Sequence, residues 1–587
     1  MDPQARTFNK PLFILFAIGS LAAVFFLPYF IAQAPSTSHS WTFAYNNRAG
    51  IFILLVSIAI GVFWSRGMGL ELPEPGRPNP LPKWILACAL ATVLCGYVAK
   101  YFSAGIYGGW GEANYFVGRV WLLDQGKLPY VDFEYAYGVL FLYGPLSLHR
   151  LCNLGVAQAY YLFCLLIFLT GTVLLFKVIS DSNYPSNVRN NIFLILFIPG
   201  TLGILALGAN YTFFRFVCPL YFISLFQRAL LEGRAPSKLR AQLIAFACTM
   251  ILLLISPETA IAFAFACAAL FACSVYSAAE LNRATLISFA GLLLQFAFIF
   301  SIARRVRILD TVMSANSNAN SFPIAIAPHI VLYCGSLFLC SCFLFVRISQ
   351  MSLPDLNIGF ILVSIPMVAA ALGRCDPAHV FWNGLGVFIS TLFYFSSDRF
   401  RYRRYRMAFL AFLFIIPTLT GSLIGIHRPE SGTKRPADSI SVDSLYPFWH
   451  TEFLAPFGFT PNGMGTTLSA RIDYGRYDGT INNDSQESIE ETISEMRNNP
   501  NGALLLRQGF EGQCETNPAG ERLAISLLFG FPYFGRTVHS ESIRKPICDF
   551  INANYQIMQP PDAQNFNYGL WVRKPVQTTQ ESAIAHP

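Results

Sequence analysis

Charge is what this chain has least of: Asp, Glu, Lys and Arg make up 13% of its 587 residues, against roughly 25% in soluble globular domains. So little charge in so long a chain excludes a soluble multidomain protein, and 54% hydrophobic residues exclude a disordered or fibrous one. Metal-ligand spacings are also missing. The 14 cysteines form no C-x-x-C motif and no Cys/His cluster, so nothing demands a metal, although the sequence does not exclude a divalent ion. The polar C-terminal stretch has no P-loop, no G-x-G-x-x-G and no Ser-His-Asp order. Nucleic acid is excluded as a partner by where the charge lies. The net +8 divides into +13 over residues 1–427 (28 basic, 15 acidic) and −5 over residues 428–587 (13 basic, 18 acidic), and the basic residues of the first part sit in short loops between apolar segments.

What remains is a series of apolar runs near the ~20 residues that a bilayer demands: 11–33, 50–65, 83–102, 157–177, 191–208, 210–226, 240–257, 258–277, 284–302, 325–346, 358–372, 380–396 and 407–427. These predict a mainly α polytopic membrane protein of about thirteen transmembrane helices over 1–427. The first run follows Arg6 and Lys10 like a signal peptide, but it is long and lacks a clear small-residue cleavage site, so it is read as a span. The Lys and Arg of the short loops place the N-terminus in the cytoplasm; the strongest contribution comes from Arg399, Arg401, Arg403, Arg404 and Arg406, just before the last run. Residues 428–587 are then a small α/β domain outside the cytoplasm, with a helix expected at Ser485–Asn498, a strand at Ala503–Arg507 and a helix through Glu521–Leu528. Cys514 and Cys548 can pair there if the compartment is oxidising. The first large external loop spans 103–156. Within it Tyr137–Cys152 is apolar but would break parity if it crossed; with Gly144-Pro145 in its middle and His149-Arg150 at its end, it reads as a re-entrant or membrane-surface helix, the alternative being a fourteenth span.

Ionisable residues at external span ends are the functional candidates, since charge in apolar surroundings is costly. From Glu112 to Leu123 the loop has helical spacing, with Glu112, Phe116 and Arg119 on one face and Gly126 as a stop. An extended aromatic stretch follows, carrying Asp132, Glu134 and Tyr137 beside Tyr130 and Tyr135. Carboxylates among aromatic rings suit the deprotonation of a sugar hydroxyl; the alternative is a Glu112–Arg119 ion pair within an interfacial aromatic belt. Other external ends hold Arg215 in NYTFFRF, Glu258 in ISPETA, Arg304 and Arg305 in ARRVRILD, and Arg374, Asp376 and His379 in LGRCDPAHVFWNG. Arginines gathered at an outer leaflet suit a phosphate, because guanidinium is permanently charged and binds two oxygens at once. For ARRVR, contact with lipid headgroups is the equal alternative.

These residues carry a resemblance. The loop GEANYFVGRVWLLDQGKLPYVDF, followed by YGVLFLYGPL, resembles the first external loop of GT-C-type integral membrane glycosyltransferases, the group that contains protein O-mannosyltransferases and the lipid A aminoarabinose transferase. Those enzymes combine an acidic loop residue, an amphipathic helix, a G-x-x-P-Y-x-D turn and an aromatic Gly-Pro segment. FINANYQIMQPPDAQNFNYGLWVRK is similar to the end of their external domain. The resemblance implies sugar transfer, with inversion, from a polyprenyl-phosphate donor to a hydroxyl of a lipid, glycan or protein acceptor, in a bacterial inner membrane and with no cofactor. Many relatives open the loop helix with an Asp-Glu pair; here it reads Gly111-Glu112, so the implied base is Glu112 or Asp132. The implied phosphate ligands are Arg374, His379, Arg215 and Arg304 or Arg305. From a different class, a transporter or flippase of a lipid-linked sugar is the rival, but no internal repeat supports it.

Overall fold

The computed structural model describes residues 10–33, 40, 44–65, 81–107, 113–133, 135–182, 184–201, 204, 208–232, 235–278, 283–309, 323–324, 326–349, 355–375, 377–396, 486–498, 504–507, 545–558 and 568–575. In chain order its helices up to residue 396 are α1 (Lys10–Phe26), α2 (Asn47–Trp64), α3 (Lys83–Tyr107), α4 (Ala113–Asp124), α5 (Leu140–Cys152), α6 (Val156–Ser180), α7 (Ser186–Thr201), α8 (Phe213–Leu231), α9 (Ala235–Ile255), α10 (Pro257–Ala278), α11 (Arg283–Arg305), α12 (Pro328–Ser349), α13 (Leu356–Ser364), α14 (Val368–Arg374), α15 (Pro377–Asn383) and α16 (Leu385–Phe395). Eight segments are long and apolar enough to cross a membrane: α1 continued by the 3-10 turn Leu27–Phe30, α2, α3, α6, α8, α10, α11 and α12. Helix is what hydrocarbon permits, because every backbone donor and acceptor is then satisfied within the segment. Hydroxyls inside the bundle follow the same rule: Thr172, Thr249 and Thr391 each donate to the carbonyl one turn back. Leu15, Phe52, Trp84, Leu294 and Phe298 face outward, as lipid contact requires.

Helix α8 runs through the centre and packs on α6, α9, α10 and α13. Its buried residues include Phe216, Val217, Leu220, Ile223 and Phe226. Within Tyr137–Cys152 the α5 helix has 13 residues, about 20 Å, shorter than a ~30 Å hydrocarbon layer, and it lies against α4 and α6.

Two expected spans differ. The run 358–372 divides into α13 and α14 and the run 380–396 into α15 and α16. Pro366 lies at the first break, where it has no amide to donate; between α15 and α16 only Gly384 intervenes, and the helical bonds continue through it, its amide donating to the Val380 carbonyl and its own carbonyl accepting from the Phe388 amide. The expected run 191–208 is helical over Ser186–Thr201. The runs at 407–427 and Glu521–Leu528 lie outside the described residues.

Near the C-terminus, α17 (Gln486–Asn498) packs on α18 (Lys545–Asn554), and strands β1 (Leu504–Arg507), β2 (Tyr555–Met558) and β3 (Tyr568–Arg573) form an antiparallel sheet in the order β1-β3-β2. Leu505 pairs with Leu570 and Gln556 with Val572. Cys548 is disulfide-bonded, whereas the twelve cysteines before residue 428 are free thiols; Cys514 is outside the described residues.

Candidate functional site

The loop after α4 is held by aromatic packing. Phe116, Val117, Val120 and Leu123 are buried on one face of α4, and Arg119, also buried, lies 3.6 Å over the Tyr115 ring and donates to the Tyr115 carbonyl. Gly126, at φ +84°, ends the helix: its amide reaches the Leu123 carbonyl and the Lys127 amide that of Leu122, the paired bonds of a Schellman cap. The chain then makes a tight turn. The Leu128 amide donates to the Asp132 carboxylate at 2.7 Å, the Asp132 amide returns a bond to the Leu128 carbonyl, and Tyr130 takes a left-handed backbone, φ +65°. The Tyr130 hydroxyl donates to the Tyr137 carbonyl. Burial pushes the Tyr130 phenol well above the ordinary tyrosine range, with the Glu258 charge adding to it. Tyr135 stacks on Tyr115, while Phe116 stacks on both Tyr137 and Tyr160.

This packing delivers Tyr137 to an ion pair. Arg215, in the first turn of α8, is buried and pairs with Glu258, in the first turn of α10. It also donates to Ser256 Oγ and the Asn210 carbonyl, both at 3.1 Å, and its guanidinium lies 4.8 Å from the centres of the Tyr137 and Phe216 rings. A cation near a helix N-terminus opposes the macrodipole and a carboxylate complements it; Glu258 thus compensates a charge that burial would otherwise penalise.

Asn210 Nδ2 donates to the Tyr137 hydroxyl at 2.9 Å. Its neighbour Tyr211 bonds His379, 3.0 Å from hydroxyl to Nε2, with the rings edge to face. Behind His379, the imidazole of His329 contacts the Cys375 carbonyl at 2.8 Å, where the backbone turns left-handed after α14.

Of the residues singled out in sequence, the structure brings Tyr137, Arg215 and Glu258 into contact and joins His379 to them through the Asn210–Tyr211 segment. Arg374 ends α14, within five residues of His379. Glu112, Glu134 and Asp376 lie outside the described residues. Asp132, Arg304 and Arg305 are exposed. Asp132 caps its own turn, and the two arginines sit in the last turn of α11, where cations favour the helix dipole. Asn210, Tyr211, Ser256 and His329 escaped sequence reasoning: neutral or lone polar residues inside apolar strings give no signal except proximity to Arg215, Glu258 or a span end. Among the described residues no three of His, Cys, Asp or Glu converge as metal ligands would. Comparison with protein-family models and with curated proteins yields no match.

Proposed function

We propose that this chain is a GT-C-type membrane glycosyltransferase that moves a sugar from a polyprenyl-phosphate donor to an acceptor hydroxyl. The observation that carries the reading is the convergence of Tyr137, Arg215, Glu258, Asn210, Tyr211 and His379 on one polar network at the helix ends. In this reading thirteen spans thread a bacterial inner membrane, with the network on the external face and residues 428–587 forming an external α/β domain; the disulfide-bonded Cys548 supports an oxidising compartment.

The acceptor oxygen attacks the anomeric carbon, the bond from that carbon to the phosphate oxygen breaks, and the acceptor proton passes to Glu112 or Asp132. The leaving phosphate keeps the bonding electron pair and is stabilised by His379 and Arg374. In this reading Arg215 is set apart from the phosphate, since Glu258 pairs with its charge and Ser256 and Asn210 take two more of its N–H groups.

A second reading, a transporter of lipid-linked sugars, draws on the interruption between α13 and α14 at Pro366, because broken helices are a feature of transporter sites. Purified protein in liposomes with a labelled polyprenyl-phosphate sugar separates the two. Glu112→Gln or Asp132→Asn should lower transfer by roughly 100-fold or more, and Arg374→Ala should lower it too. Full transfer by all three variants would remove the site proposed here, and lipid crossing the bilayer with its phosphosugar bond intact would favour the transporter.

A further inference from the structure

The contacts of Arg215 and Glu258 point to a role distinct from binding substrate. Resting on the reading of this network as the site, we propose that they are a positioning pair: their ion pair fastens the loop 125–139 and the Asn210–Tyr211 segment to the corner where α8 meets α10. The loop that carries Asp132 is thereby fixed relative to His379.

Three observations carry this. Arg215 bonds Ser256 through Nε, Asn210 through Nη1 and Glu258 through Nη2, and lies beside the Tyr137 and Phe216 rings. Such a rigid planar fork holds its partners in fixed directions, which the compact ammonium of a lysine on its flexible stem does not reproduce. The loop meets the corner at separate points: the Tyr137 ring on Arg215, the Tyr137 hydroxyl on Asn210, and the Gly138 amide on the Ile255 carbonyl, next to Ser256. Finally, the segment held by Arg215 is the one whose next residue, Tyr211, holds His379. A shift at the ion pair therefore reaches both halves of the site.

The test is hydrogen exchange on the full-length chain in lipid nanodiscs, read over residues 125–139 without any sugar donor. Glu258→Gln leaves a buried guanidinium without its counter-charge and should speed exchange in that loop by roughly 100-fold, with α6 and α12 unchanged. Glu258→Asp keeps the charge and should restore most of the protection; Arg215→Lys should not. Should Glu258→Gln also loosen α6, the Glu258→Asp variant decides, because a positioning charge must rescue the loop. Wild-type exchange at 125–139 in Glu258→Gln overturns the proposal. So does normal exchange in Arg215→Lys together with lost binding of sugar-free polyprenyl phosphate, which would make Arg215 a substrate ligand. Exchange needs no turnover, so failure of sugar transfer leaves this result standing on its own.

Discussion

Gly138→Ala is the sharpest single perturbation of the way the loop after α4 is seated. A Cβ built at Gly138 lies 2.2 Å from the Leu254 carbonyl oxygen, 2.3 Å from its carbon and 2.5 Å from the Ile255 carbonyl carbon. All three are backbone atoms at the end of α9, so no side chain can rotate away, and the loop must lift by about 1 Å to reach ordinary contact distance. Lifting breaks the 3.1 Å bond from the Gly138 amide to the Ile255 carbonyl. Overpacking of this kind costs about 1–3 kcal/mol and the lost hydrogen bond about 1 kcal/mol, together about 2–4 kcal/mol. If that falls on local opening, exchange of the amides around residue 138 should rise by roughly 30- to 1000-fold in the purified chain, since each ~1.4 kcal/mol is tenfold. Gly335→Ala is the control: it lies within α12 with nothing within 4 Å of the added Cβ, so alanine should stabilise that helix by about 0.5–1 kcal/mol. Unchanged exchange around Gly138, or equal effects at the two glycines, would refute the close approach.

Other outcomes follow from the same geometry. Asp124→Asn removes an exposed contact to Arg150 and His149 and should change thermal stability by no more than about 1 kcal/mol. Cys548→Ser should destabilise the C-terminal region by about 2–5 kcal/mol, measured as earlier protease cleavage there with the helical bundle unaffected. Burial raises both Tyr130 and Tyr135, with the Glu258 charge acting further on Tyr130 and Tyr115 on Tyr135. Their stabilisation is therefore complete below the ordinary tyrosine value of ~10 and is lost only as pH rises through the higher native values. Tyr130→Phe and Tyr135→Phe should each leave unchanged the amount of tyrosinate seen by ultraviolet absorption near pH ~10, and a drop with either variant would contradict the burial.

Much of the local structure was legible because its causes are local. Gly126 ends α4 where the helical spacing stops, and Phe116 and Arg119, which that spacing puts on one face, are both buried. The break at Pro366 was visible as a residue but not as a break, since a hydropathy window averages over one proline. Arg215, Glu258 and His379 stood out as charged or titratable groups at span ends, yet the partners that define their roles, Asn210, Tyr211 and Ser256, are ordinary polar residues.

By itself the sequence determined the class of molecule: crossing hydrocarbon requires runs of ~20 apolar residues, a requirement each segment meets or fails alone. Only the tertiary structure decided what the scarce charges do. Arg215 and Glu258 are 43 residues apart, each at the start of its own helix, and neither composition nor periodicity says which helix ends meet. Their meeting pairs the Arg215 guanidinium with a carboxylate of the protein itself, while the Asp132 carboxylate stays exposed on its turn. Which side chains share a site depends on non-local packing, here the seating of Tyr137 and Gly138 against the ends of α8 and α9.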